Sequence, residues 1–247
     1  MVSTEKIAPE APAKVDKSGE RVRKMFGEIA PNYDRMNHLL SMNIDKLWRR
    51  KAVKVLQPNR TDPILDCCTG TGDLAFVFER ATEQQVPITA ADFCEEMLDV
   101  GRDKISSHKS KQVTFVQADT MEMPFESDHF QIVSAAFGLR NVADTDQGLR
   151  EMTRVCKPGG QVAVLEFSTP RRQPIRGAYQ WYFKNILPRI GQALARNDSS
   201  AYSYLPDSVS EFPDYEALVE RMIGAGLKSA RFMPLTFGIA TLYIGNK

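Results

Sequence analysis

The chain predicts an α/β fold with a mostly parallel sheet, helices on both faces and a closing antiparallel hairpin. Three observations carry this reading. Short apolar, β-prone runs alternate with stretches of helical periodicity between residues 63 and 168, the order that builds successive βα units. A glycine-containing turn, ILDCCTGTGDLA at residues 64–75, follows the first β-prone run directly. Two last β-prone runs within LKSARFMPLTFGIATLYIGNK are joined around Pro234 to Gly238, a link too short for a crossover, so they must pair antiparallel.

Residues 1–18 mix Pro, Ala and charge without periodicity and are expected to form a disordered leader. Residues 19–247 are then one domain, of a length that can bury a substantial core. Helical spacing runs through RVRKMFGEIAPNYDRMNHLLS, broken at Pro31, and through DKLWRRKAVKVL, which gives two or three helices over 19–57. Next come the strand runs PILDCC, VPITAAD, VTFVQAD, FQIVSAAF and GGQVAVLEFS, with helical runs DLAFVFERATE, EEMLDVGRDKIS and TDQGLREMTRVC among them. A helical insertion over 171–225, with helices near 174–195 and 213–225, precedes the final hairpin.

Lys plus Arg number 32 against 31 Asp plus Glu, a balance that argues against a nucleic-acid-coating protein. Cys67, Cys68, Cys94 and Cys156 show no C-x-x-C spacing and no secretory leader precedes them, so buried thiols in a reducing, cytoplasmic compartment are expected and no metal site. No run of about 18 apolar residues occurs; membrane contact would have to be peripheral.

Gly70, Gly72 and Ala75 fit the spacing of a dinucleotide loop. Acidic residues flank it, however, with Asp66 at the strand end and Asp73 in the first helical turn, where a pyrophosphate would want a bare positive helix end. A ligand bearing an ammonium and a sulfonium, such as S-adenosylmethionine, suits the two carboxylates better. Asp92, twenty residues beyond Gly72 and ending VPITAAD, is placed to accept from both ribose hydroxyls, and Asp119, ending VTFVQAD, from an adenine amino group. Singly, each carboxylate reads as a cap or turn residue; in register with the loop they form a constellation. A nicotinamide dehydrogenase stays open as the rival.

The sequence resembles the class I methyltransferases, and more closely the C-methyltransferases of quinone biosynthesis. The residues that carry the resemblance are MFGEIAPNYDRMNHLLSMNIDKLWRR, LDCCTGTGDLA, AAFGLRNVADTDQGLREMTRVCKPGGQVAVLEFSTP and YSYLPDSV. It implies a Rossmann-like methyltransferase fold with S-adenosylmethionine as cofactor. It also implies that Asp66, Gly70, Thr71 and Gly72 hold the cofactor, with Asp92 on the ribose and Asp119 and Thr120 flanking the adenine. Ala136 joins this set, although some relatives have Ser there; a side-chain contact from that Ser would be lost in this chain.

The implied substrate is a polyprenyl quinol, demethylmenaquinol first and the benzoquinol precursor of ubiquinone as the alternative. Methylating its ring carbon requires the neighbouring hydroxyl proton to be removed or weakened. Arg140 and Asn141, in FGLRN at the end of the fourth strand, are expected to stabilise and orient the resulting anion. A surface ion pair of Arg140 with Asp144 or Asp146 competes with that role. Tyr33 and Asp34, in APNYD, resemble the family's N-terminal lid over 19–57. No histidine reads as the base.

Residues 171–196 carry six Arg or Lys and no acid, with Ile175, Tyr179, Tyr182 and Ile186 at helical spacing. This stretch reads as a face for an anionic membrane, as a lid helix over the pocket, or as both, with a kink at Pro188 in each case. Whether the chain forms a homodimer is left open.

Overall fold

A computed structural model describes residues 16–186 and 201–247. Most of the expected leader, and Pro188 with its surroundings, lie outside these residues. Three helices open the fold: α1 (Gly19–Ile29), α2 (Tyr33–Leu40) and α3 (Ile44–Leu56). Pro31, with no N–H to give, falls in a 3-10 turn between the first two. Met42 and Asn43, with φ of 51° and 60°, turn the chain into the third.

The βα units follow as β1 (Ile64–Cys67), α4 (Asp73–Ala81), β2 (Ile88–Asp92), α5 (Glu95–His108), β3 (Val113–Gln117), β4 (Phe130–Ala136), α6 (Thr145–Val155) and β5 (Cys156–Phe167). After these come α7 (Ile175–Trp181), running into a π turn at Tyr182–Ile186, then α8 (Ala201–Glu211) and α9 (Glu216–Gly224). β6 (Ser229–Leu235) and β7 (Ala240–Asn246) close the fold.

The seven strands order as β3-β2-β1-β4-β5-β7-β6. All neighbours are parallel except β7, which lies between β5 and β6 and is antiparallel to both. The hairpin therefore pairs as its short link demands. The strands read as nearly unbroken apolar runs because both faces are covered. On one face Ile64 and Ile88 pack with Trp48, Phe76 and Leu98; on the other Leu65 and Val133 pack with Leu149, Met152, Leu218 and Met222.

From β1 the chain builds outward to β3, then returns to place β4 on the other side of β1. The connections diverge there, which opens a crevice beyond the carboxyl ends of β1 and β4.

Two differences from the sequence expectation concern the insertion. The helix expected over 174–195 is about two α-helical turns followed by a π turn, and its remainder is outside the described residues. Helix α8, with Pro206 inside it, lies within the helical insertion expected over 171–225 but was not placed as a helix of its own.

Candidate active site

The crevice is built by backbone conformations that few residues tolerate. Gly70 and Gly72 have φ of 57° and 84°, the left-handed region that glycine enters without penalty. Across from them Gly138 follows β4 so closely that a Cβ there would lie 2.3 Å from Cβ of Cys68. Cys68 and Phe137 themselves have φ of 48° and 60°, strain of the kind that surrounding packing sustains at functional sites.

Two cavities meet at this point. The smaller, of about 80 Å³, is lined by Gly70, Asp92, Met97, Asp119, Thr120 and Asn141, with Phe26, Tyr33 and Phe137 in its wall. Asp92 ends β2 and accepts N–H bonds from Gly70 at 2.8 Å and Cys94 at 3.0 Å; burial pushes its carboxyl above the usual range. Its side chain lines the smaller cavity, where a hydroxyl can reach it. Asp119 accepts the Met121 N–H at 2.8 Å, and Thr120 is buried against the Cys68 thiol. Asn141 Oδ1 is buried and has no protein partner, an acceptor in want of a donor. A pair of ribose hydroxyls and an adenine edge fit this set: two carboxylates, a hydroxyl and an orphan amide oxygen around a glycine floor.

Other expected members stand elsewhere. Asp66 lines neither cavity; it lies behind the loop, 1% exposed, and accepts from Thr69 Oγ1 at 2.6 Å and Ser134 Oγ at 2.7 Å. Asp73 is bound by Lys104 at 2.7 Å. Burial opposes its charge, but Arg49 and Lys104 outweigh that and hold its carboxyl below the usual range. The two carboxylates therefore serve the loop's own structure, and the charge attraction expected of them toward a cationic ligand has no direct contact behind it. Thr71 donates to Asp34, which also takes Lys104 at 2.7 Å. Asp34 thus fastens α2 to the glycine loop and lines neither cavity, so the structure does not bring it to the site with Tyr33. Gly72 and Ala136 line neither cavity.

Burial pushes the Asp66 carboxyl up to about 6. A folded-state value raised above the unfolded one means that the protonated form is favoured in the fold. Its contribution is therefore present below the unfolded value and is lost as pH rises from about 4 through about 6. Asp66→Asn should remove this loss and stabilise the protein at pH 7 relative to pH 4 by about 3 kcal/mol against the parent. Urea unfolding of both proteins across that range checks it; a parent-to-variant difference independent of pH would show that Asp66 titrates normally.

The larger cavity, of about 340 Å³, is lined mainly by apolar side chains, including Met25, Ile29, Leu40, Trp48, Phe167 and Ile175. Tyr33 stands at its junction with the smaller one and meets Phe26 edge-on at 6.0 Å between centroids. Arg140 lines the large cavity and Asn141 the small one, so FGLRN forms the partition. Arg140 is 6% exposed and pairs with Glu166 at 3.0 Å, and its guanidinium also donates to the Phe137 carbonyl. The competing surface ion pair is thereby overturned: Asp144 instead caps α6 by accepting Gln147 N–H, and Asp146 meets Arg221. Glu166, Asp45, Arg49 and Lys104 were not singled out from sequence, although LWRR and LEFS contain two of them and Asp45 and Arg49 are spaced as a helical i,i+4 pair.

Helix α7 covers the large cavity with Ile175, Ala178 and Tyr179, and Tyr182 beyond it donates to the Leu40 carbonyl. Within the described part, the insertion thus packs over the large cavity. Arg171 is bound to Glu216 and stacks over Tyr215 at 4.0 Å, so one of the expected membrane-facing cations is already matched. His38 hydrogen-bonds Asp45 through Nδ1 at 2.9 Å.

A model of the ubiE/COQ5 methyltransferase family matches residues 14–247. A Geobacter (strain M21) protein named ubiquinone/menaquinone biosynthesis C-methyltransferase UbiE is 45% identical, the match covering 94% of this chain and 99% of that one. A demethylmenaquinone methyltransferase of Bacteroides fragilis is 41% identical over 94% of each chain. Among solved structures, a Thermotoga maritima SAM-dependent methyltransferase, a possible histamine N-methyltransferase, superposes with a TM-score of 0.65 at 18% identity, covering 91% of this chain and 99% of that one. A Haemonchus contortus phosphoethanolamine N-methyltransferase in complex with S-adenosylhomocysteine gives 0.59 at 16% identity, over 81% of this chain and 52% of that one. The nicotinamide alternative finds no support in these likenesses.

Proposed function

From the premise that this chain belongs to the ubiE/COQ5 methyltransferase family, we propose that it C-methylates a polyprenyl quinol, demethylmenaquinol first. S-adenosylmethionine is the methyl donor. The observation that carries the substrate reading is the 340 Å³ aromatic and aliphatic cavity that adjoins the carboxylate-lined crevice and holds the buried Arg140 in its wall. A flat apolar ring with polar oxygens suits such a space.

When bound, the cofactor supplies a methyl group on a sulfonium. The chain's residues do the rest by placement. Phe137, Phe167, Trp48 and Tyr33 hold the ring and exclude water, which strengthens each charge interaction inside. Arg140, held by Glu166, lowers the cost of negative charge on the ring oxygen as its proton leaves, and this enriches the adjacent carbon. Asp92, Asp119 and Thr120 hold the nucleoside end, with Asn141 on the same side of the partition, away from the ring cavity. Because one relative's name covers both ubiquinone and menaquinone biosynthesis, the benzoquinol is the second reading. Label transfer from methyl-labelled cofactor to each quinol, with one enzyme batch, tests both; labelling of neither would overturn the proposal.

A polyprenyl tail has to leave this cavity. No helix among the described residues is long and apolar enough to cross a membrane. Met42, which lines the cavity, is 76% exposed, and Leu39, Trp181 and Phe237, each next in sequence to the lining residues Leu40, Tyr182 and Thr236, are 58, 60 and 77% exposed. Such an apolar rim favours peripheral docking on a bilayer, with Arg172 and Arg176 of the basic stretch beside it. Replacing Met42, Trp181 and Phe237 together by Gln, Gln and Asn should reduce sedimentation with anionic vesicles at every salt concentration and slow long-tailed quinols several-fold, short-tailed ones staying as before. Equal slowing of both quinols would instead assign the rim to lid closure.

A further inference from the structure

We propose that Arg49 is a second ring-oxygen ligand, so that the site recognises two oxygens on opposite sides of one aromatic ring. The inference rests on the quinol reading and sharpens it. Helix α3 turns Asp45, Trp48 and Arg49 inward at i, i+3 and i+4 spacing, and all three line the large cavity. Arg49 is 9% exposed, with Nη1 bound to Asp45 at 2.6 Å. Asp45 in turn receives Ser41 Oγ at 2.6 Å and His38 Nδ1 at 2.9 Å. Three donors thus converge on one carboxylate, whose work is to fix the guanidinium in place.

Arg49 Nε is buried and has no hydrogen-bond partner, and the same holds for Arg140 Nε in the same cavity. Buried orphan donors are rare because each forfeits its solvation without return. Two in one ligand-sized space point to acceptors that a ligand brings. The guanidinium of Arg49 lies 5.3 Å from the Phe137 ring centroid and that of Arg140 lies 5.5 Å from the Phe167 centroid, the two rings being 4.7 Å apart. The cations therefore flank adjoining aromatic rings against which a ligand ring can lie.

Each guanidinium is bound by a carboxylate, Arg140 by Glu166 and Arg49 by Asp45, with Asp73 a further 4.0 Å from Arg49 Nη2. A neutral oxygen is then acceptable at rest, and negative charge is favoured as it develops. The two positions are not equivalent. Arg140 precedes Asn141, which lines the cofactor crevice, whereas no residue of α3 does. Arg140 serves the oxygen beside the carbon that is methylated, and Arg49 the oxygen across the ring.

The test compares two short-tailed substrates: a 1,4-naphthalenediol and its analogue lacking the hydroxyl para to the activating one. Arg49→Lys and the double variant Arg49→Gln with Asp45→Asn are used, the second so that no buried carboxylate is left unpaired. Thermal midpoints and S-adenosylhomocysteine affinity establish that each variant is folded with its cofactor site intact. The parent should prefer the diol, and in the double variant that preference in kcat/KM should collapse by about 10- to 100-fold through the diol alone. The lysine variant should recover part of it. Loss shared equally by both substrates in a folded variant would make Arg49 structural and overturn the inference. A parent that methylates quinols without preferring two oxygens would overturn it too, with the quinol reading intact; a parent that binds neither ring would remove that reading and this inference together.

Discussion

Arg140→Ala should lower both stability and turnover, and the two losses should separate. Removing the guanidinium leaves Glu166, 0% exposed, as a buried charge without a counter-ion, for which about 3 to 5 kcal/mol is the expected cost. In a chain of this size that is a fall of roughly 6 to 20 °C in the unfolding midpoint. Glu166 keeps only the N–H groups of Arg140 and Phe167 as donors, which is too little to carry a charge. Arg140→Met combined with Glu166→Gln removes the charge at both ends and should recover most of the stability. Methyl transfer in a single turnover should stay about 100- to 1,000-fold slow in both variants, as when one preorganised donor to a developing oxyanion is lost. If the stable double variant reacted at the parental rate, the pair would be a structural feature of the cavity wall and no more.

Asp92→Asn should weaken cofactor binding by about 1 to 3 kcal/mol, or roughly 5- to 150-fold, the range for hydrogen bonds to a charged group. The carboxylate receives Gly70 N–H on one oxygen and Cys94 N–H on the other. An amide can satisfy only one of these, and its NH₂ must then face an N–H, so the loop loses shape along with an acceptor. Calorimetric titration with S-adenosylhomocysteine measures the change. Parental affinity in a folded Asp92→Asn would take this residue out of the cofactor site.

The fold was largely legible in the sequence because its signals are local. Alternating β-prone and helical runs, the glycine turn and the short hairpin link each depend on a few neighbouring residues, and the sheet follows them. Helix α8 escaped because Pro206 interrupts its pattern. At the site, sequence position marked the strand ends correctly, yet it could not say which way a side chain turns there. Asp92 faces the crevice, while Asp66, at the matching end of β1, faces Ser134 on β4. Residues paired over long separations were illegible for the same reason. Arg140 with Glu166 and Lys104 with Asp34 are brought together only by the finished fold, and so the local pattern of charges near Arg140 pointed to the wrong partners.

Phe26, Tyr33 and Phe137 each belong to the wall of both cavities. Filling one cavity orders three side chains that the other ligand must pack against, so the two occupancies share a coupling free energy. That quantity is symmetric: whatever factor the nucleoside contributes to the affinity for the ring, the ring returns to the nucleoside. With nucleoside and ring placed as proposed, the sulfide left after transfer packs against the same three side chains and so influences how long the methylated ring stays, and product departure is governed jointly by both halves of the site.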